Sequence, residues 1–227
     1  MKLICEGISR RFFRNGKNTN FFYAVQKTDF ELPEGAIAEI VGRSGSGKTT
    51  FANMLSGLLA PTEGAVYIDG IDLFTLDDEK RSEFRNKHIG IVPQGQTGLQ
   101  SLTVLENVLA PAHMYGAKKD KEQLARKLLA EMELSDLCDV YSNELSGGEL
   151  RRMSIARALI NSPEIVIADE PTGDLDDGTT KLVMKLFRRL ADEGASVLMV
   201  THERDALQYA DRIFRMEEGI LASETNY

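Results

Sequence analysis

The chain has 227 residues, 42% hydrophobic and 27% charged, ordinary values for a globular protein near the size of one α/β domain, with enough residues to bury a sizeable core. Its 35 acidic and 27 basic residues leave a net charge of -8, which excludes broad phosphate-backbone binding and hence a nucleic-acid partner. No run approaches the ~18 apolar residues that cross a bilayer, no signal peptide follows Met1-Lys2, and Cys5 and Cys138 match no metal spacing and read as reduced thiols of a cytosolic protein.

Residues 1–32 alternate, with Leu3, Ile4, Ile8, Val25, Phe30 and Leu32 as apolar points and Asn15-Gly16 and residues 18–20 as turn residues. That pattern predicts antiparallel strands. The basic stretches Arg10-Arg11-Phe12-Phe13-Arg14 and Lys118-Lys119 read as solvated faces. A turn at Pro33-Glu34-Gly35 leads into a short apolar strand over 36–41, then a glycine-rich loop and a helix over about 48–58. Another strand pair is expected at 65–68, a polar helix at 77–88 and a buried strand at 89–92. Residues 100–145 carry helical periodicity, in which Leu102, Leu105, Val108 and Leu109 make one core stripe and Leu124, Leu128, Leu129 and Met132 another. Helix 147–160, strand 165–168, helix 178–192 and strand 197–200 follow, with Pro163 and Gly194 as breakers. Strands alternating with helices imply a mainly parallel sheet that binds ligands at the carboxyl ends of its strands. The helical stretch between them is expected to form a separate lobe.

Gly42-Arg43-Ser44-Gly45-Ser46-Gly47-Lys48-Thr49 fits the phosphate-loop pattern, with a strand before it and a helix after it. Its glycines let successive N–H groups face a phosphate, and the helix start adds attraction for an anion. Lys48 would reach the β- and γ-phosphates of ATP, the Thr49 hydroxyl would bind Mg²⁺, and Thr50 is counted with the site. The apolar run 165–168 ends in Asp169 and Glu170. Asp169 is placed to hold Mg²⁺, and Glu170 to polarise the water that attacks the γ-phosphate. Leu145-Ser146-Gly147-Gly148-Glu149 opens a second helix with a hydroxyl and two glycines, a second anion site. One chain cannot easily fold both helix starts onto one γ-phosphate, whereas two chains arranged head to tail do so by symmetry.

With these motifs in this order, nearly the whole chain resembles the ABC ATPases. The resemblance implies an α/β fold: a P-loop NTPase core with a mainly parallel sheet and an N-terminal antiparallel β subdomain, over 1–94 and 161–227, and an inserted α-helical subdomain over 95–160. It also implies further roles. Phe12 resembles the aromatic that stacks on adenine, with Phe13, Phe22 and Tyr23 as rivals. Gln94 resembles the glutamine that touches Mg²⁺ and the attacking water and hinges the helical lobe. Gly173-Asp174-Leu175-Asp176 resembles the loop that crosses the dimer, with Asp176 toward nucleotide. His202 resembles the histidine at the γ-phosphate. The runs through 168–176 and Val200-Thr201-His202-Glu203, with Leu105-Glu106-Asn107-Val108, are similar to the subgroup of lipoprotein-release, macrolide-export, cell-division and peptide-resistance ATPases. The implied partners are a second ABC ATPase subunit and an integral membrane permease, which would hold the protein at the inner face of the cell membrane. A soluble accessory ATPase is the alternative.

Overall fold

The computed structural model describes residues 1–13, 20–95, 97–115, 121–173, 175–202 and 207–224. Arg14, Asn15-Gly16, Asn18, Lys118-Lys119, Asp174 and Glu203, all singled out above, lie outside the described residues. Ten strands and six α-helices follow one another in the order β1 (Leu3–Phe13), β2 (Phe21–Leu32), β3 (Ile37–Val41), α1 (Lys48–Leu55), β4 (Glu63–Ile68), β5 (Ile71–Asp72), α2 (Asp78–His88), β6 (Ile89–Val92), α3 (Val104–Met114), α4 (Glu122–Glu131), α5 (Gly147–Leu159), β7 (Ile165–Asp169), α6 (Asp177–Asp192), β8 (Ser196–Thr201), β9 (Arg212–Glu217) and β10 (Ile220–Glu224) among the described residues.

Two sheets form. The first is antiparallel, in the order β2-β1-β4-β5. The second runs β10-β9-β3-β8-β7-β6 and is parallel except for β10. Helix α1 lies between them: Phe51, Met54 and Leu55 pack with Leu3 and Ile8 of the first sheet and with Ile165 and Ile167 of β7. The alternate residues of β7, Val166 and Ala168, turn to the other face, where Met153 and Ile155 of α5 and Val183, Met184 and Phe187 of α6 cover them. Because both faces are covered, β3, β7 and β8 are buried at every residue and show up as continuous runs rather than alternating ones.

The same cluster that covers β7 continues into the helical lobe through Val104, Val108, Leu128 and Leu129. The two stripes of the periodic stretch 100–145 fall largely on α3 and α4. Thr103 starts α3 with a capping box closed by Glu106, and short 3₁₀ turns at Ser135–Leu137 and Ser142–Glu144 lead from α4 to α5. Helix α1 stops at Leu55, three residues short of the expected end, with Ser56 as its cap and Gly57 behind it. Strands β5, β9 and β10 were not expected.

Candidate active site

The phosphate loop hangs between the end of β3 and the start of α1. Gly47 is the N-cap of α1, at φ 109 and without a side-chain cap, and no acidic residue occupies the first turn. The N–H groups of that turn therefore stay available for an anion, and the helix dipole favours one. A Cβ on Gly47 would lie 2.1 Å from the carbonyl oxygen of Ala24, so only glycine lets the loop nest against β2. Lys48 is buried, and its Nζ donates to the carbonyls of Gly42 at 2.7 Å and Arg43 at 3.1 Å. The ammonium is thereby held against the loop where phosphates would sit.

Asp169 ends β7 and is buried. Burial pushes its pKa up, while a hydrogen bond from Thr49 and the charge of Lys48 oppose that rise and the Glu170 carboxylate adds to it. Its Oδ1 is buried without a hydrogen-bond partner among the described residues. A desolvated carboxylate with a spare oxygen beside a threonine hydroxyl suits Mg²⁺, which takes few protein ligands and completes its shell with phosphate and water. No cluster of three His, Cys, Asp or Glu among the described residues competes as a full protein cage.

Glu170 takes a left-handed backbone conformation, φ 52, and its N–H donates to Val200 O at 2.7 Å. A non-glycine residue at such an angle is strained, and in this conformation the carboxylate faces His202, just past the end of β8. Glu170 Oε1 lies 2.8 Å from His202 Nδ1, while Oε2 is buried without a partner among the described residues. The histidine side chain is 64% exposed and that of the glutamate 12%, so the pair spans the wall of the site from solvent to interior.

A cleft of about 1010 Å³ brings together Phe12, Lys48, Thr49, Gln94, Glu170 and His202. Arg43, Ser44, Gly45, Gly47 and Thr50 line it as well, whereas Gly42 and Ser46 belong to the same loop without lining the cleft. Of the aromatic rivals, Phe22 and Tyr23 reach the cleft and Phe13 does not. Phe12 and Phe22 face each other across the β1–β2 pair with ring centroids 6.0 Å apart, and the Arg10 guanidinium lies 4.8 Å from the Phe12 centroid. Ala24, Glu218 and Gly219 also line the cleft, and sequence reasoning missed all three. The signal for the last two was the Glu218-Gly219 turn between the apolar pairs Ile213, Phe214 and Ile220, Leu221.

Ser146, Gly147, Gly148 and Asp176 do not line this cleft. Ser146 is the exposed N-cap of α5: its Oγ accepts from the Glu149 N–H at 3.4 Å and donates to Glu149 Oε2 at 2.7 Å. Two arginines strap α5 to the segment around Gln94: Arg151 donates to Pro93 O at 2.7 Å and Arg157 to Thr97 Oγ1 at 2.8 Å. Asp176 caps α6, accepting from the N–H groups of Gly178 and Thr179 and from the Thr179 hydroxyl.

The sequence model of the ABC transporter family matches residues 25–173. The lipoprotein-releasing system ATP-binding protein LolD of Porphyromonas gingivalis is 41% identical over 202 residues, covering 88% of this chain and 92% of that protein. The macrolide export ATP-binding/permease protein MacB of Neisseria meningitidis is 38% identical over 228 residues; the match takes in 100% of this chain but only 35% of the relative's length. Among solved structures, a dimeric post-hydrolysis state of the ATP-binding cassette MJ0796 bound to ADP and Pi superposes with a TM-score of 0.90 at 33% identity, over 99% of this chain and 100% of that one. No helix among the described residues is long and apolar enough to cross a membrane. A family match that spans most of the chain, near-full-length relatives and a superposable cassette fold meet on one conclusion: the chain belongs to the ABC transporter family and is one of its ATPases.

Proposed function

We propose that two copies of this cassette close head to tail around two ATP molecules and drive a membrane permease through the helical lobe. The observation that carries this reading is the exposed N-terminus of α5 at Ser146, which stands outside the chain's own cleft and is free to meet a partner's phosphate. In the closed pair Ser146 turns its hydroxyl from Glu149 to the partner's γ-phosphate, with the N–H groups of Gly147 and Gly148 beside it.

Phe12 stacks on adenine. Lys48 leaves the loop carbonyls for the β- and γ-phosphates. Thr49, Asp169 and Gln94 would hold Mg²⁺, which would supply charge neutralisation for the triphosphate. Glu170 orients the attacking water and accepts its proton, as the water oxygen bonds to the γ-phosphorus and the bond to the β-phosphate oxygen breaks. His202 holds Glu170 through Nδ1 and offers Nε2 to the γ-phosphate. Hydrolysis removes the bridging charge and the pair opens; the differential affinity for the open and closed states is the source of work.

The straps from Arg151 and Arg157 support a mechanical role for the lobe, because a shift at Gln94 pulls directly on α5. The LolD relatives and the matched third of the MacB relatives favour an export or mechanotransmission system, with this subunit on the cytoplasmic face of the membrane beside its permease. Glu170→Gln, which keeps the shape and removes the base, should trap the clamp. Size-exclusion chromatography with light scattering should show a dimer in ATP and a monomer without it. Monomeric elution in both conditions would rule the clamp out.

A further inference from the structure

The aromatic residues and the phosphate loop of the cleft belong to different parts of the fold. Phe12 and Phe22 sit on the antiparallel sheet, while residues 42–47 hang from the parallel sheet. A ligand that touches both is held well only if the two parts keep a fixed spacing. The turn between β9 and β10 lies where they meet. The Gly219 N–H donates to Ser46 O of the phosphate loop at 2.9 Å, and the Gly219 carbonyl accepts from the Gln26 N–H of β2 at 2.8 Å. The Gln26 side-chain amide adds a bond to Glu218 O at 3.1 Å.

One residue therefore bridges the base side and the phosphate side through its own peptide groups. A side chain there would be both strained and crowded. Gly219 stands at φ +79, and a Cβ would lie 3.0 Å from Ala24 O and 3.3 Å from Gln26 N. Ala24 O is the same atom on which Gly47 of the phosphate loop rests.

We propose that the Glu218-Gly219 turn is a positioning element of the nucleotide site, fixing the base-stacking strand against the phosphate loop so that base and triphosphate bind as one preorganised ligand. The proposal rests on the reading of the aromatic wall as the base platform. Its physical content is that orientation set in advance removes the cost of aligning two half-sites at binding. A ligand that has no base has nothing to gain from that alignment, and the test uses the difference.

Calorimetry on the full chain should compare Mg-ATP with inorganic triphosphate in the presence of Mg²⁺. Gly219→Ala should weaken ATP by about five- to tenfold and leave inorganic triphosphate within about twofold. Gln26→Ala, at an exposed position, removes the outer strut without crowding and should act in the same direction more weakly; it decides the matter if the glycine variant does not fold. The double variant Phe12→Ala/Gly219→Ala should bind ATP no more weakly than Phe12→Ala alone. Equal weakening of ATP and inorganic triphosphate would make the turn a support of the loop only and overturn the proposal, as would unchanged ATP binding in both variants. If Phe12→Ala has no ATP-selective effect while Gly219→Ala does, the base sits on Phe22 or Tyr23, and the bracket stands.

Discussion

Glu39 lies at the middle of β3 with no exposed surface, and both of its carboxyl oxygens lack a partner among the described residues. Burial pushes its pKa from 4.5 to about 8. The folded protein thus holds this proton more tightly than the unfolded chain does. The resulting stabilisation is fully present below the unfolded value and is lost as pH rises through the folded one. Glu39→Met replaces the group with an apolar chain of similar length. The variant should be more stable than the parent by about 1–3 kcal/mol near pH 8, with a smaller gap at pH 5. Denaturant melts at the two pH values measure it, and a gap that widens in acid would contradict the assignment. Cys5 shows the same cause without a comparable consequence: burial pushes its thiol up to about 12, and a thiol is already neutral over the working range.

At the scale of elements, Asp176 separates two roles that its place in the sequence merges. The resemblance puts it in a loop facing nucleotide across a dimer; the structure makes it the cap of α6, where the Thr179 hydroxyl and N–H hold its carboxyl below the usual range. Asp176→Ala should lower Tm by about 2–4 °C through loss of the cap. Asp176→Asn keeps a capping oxygen and should keep Tm. If the charge also serves the nucleotide, Asp176→Asn lowers ATP turnover at unchanged Tm; turnover equal to the parent's leaves the residue as a cap alone. What could be read from sequence follows the same divide between local and assembled features. Strands β7 and β8 were legible because complete burial gives each a central apolar run, and β3 because Glu39 alone interrupts its run. Strand β9 mixes Arg212, Arg215 and Glu217 into its face and β10 is exposed or half-exposed throughout, so neither carries a hydrophobic signature strong enough to announce it. The phosphate loop and the Asp169-Glu170 pair were legible because their chemistry needs adjacent residues. The aromatic wall was legible only as a set of rivals: which of them meets the loop depends on how Ala24 docks on Gly47, a contact between distant parts of the chain. Gly219 was legible as a turn residue but not as a partner of Ser46 and Gln26, contacts that again join distant parts of the chain.

For the whole molecule, the separation of the α5 start from the cleft allows a test that no single variant provides. Lys48→Ala should disable the phosphate loop of the chain that carries it. Gly148→Asp places a carboxylate at the α5 start, where it should repel the phosphates bound by the other chain. Each homodimer is then inactive at both sites. In a head-to-tail heterodimer of the two variants both defects fall in one composite site, and the other combines an intact loop with an intact α5 start. Random mixing makes half of the dimers mixed, each with one sound site of two, so about a quarter of the parent's ATP turnover should return if the sites fire independently. Strict coupling between the sites would reduce that figure, and any activity above the sum of the parts requires sites shared in trans. If each chain instead completed its own site, no mixture of the two variants could exceed that sum. Phosphate release from an equimolar mixture, set against the two variants assayed alone, decides between the two architectures without relying on how tightly the dimer holds together.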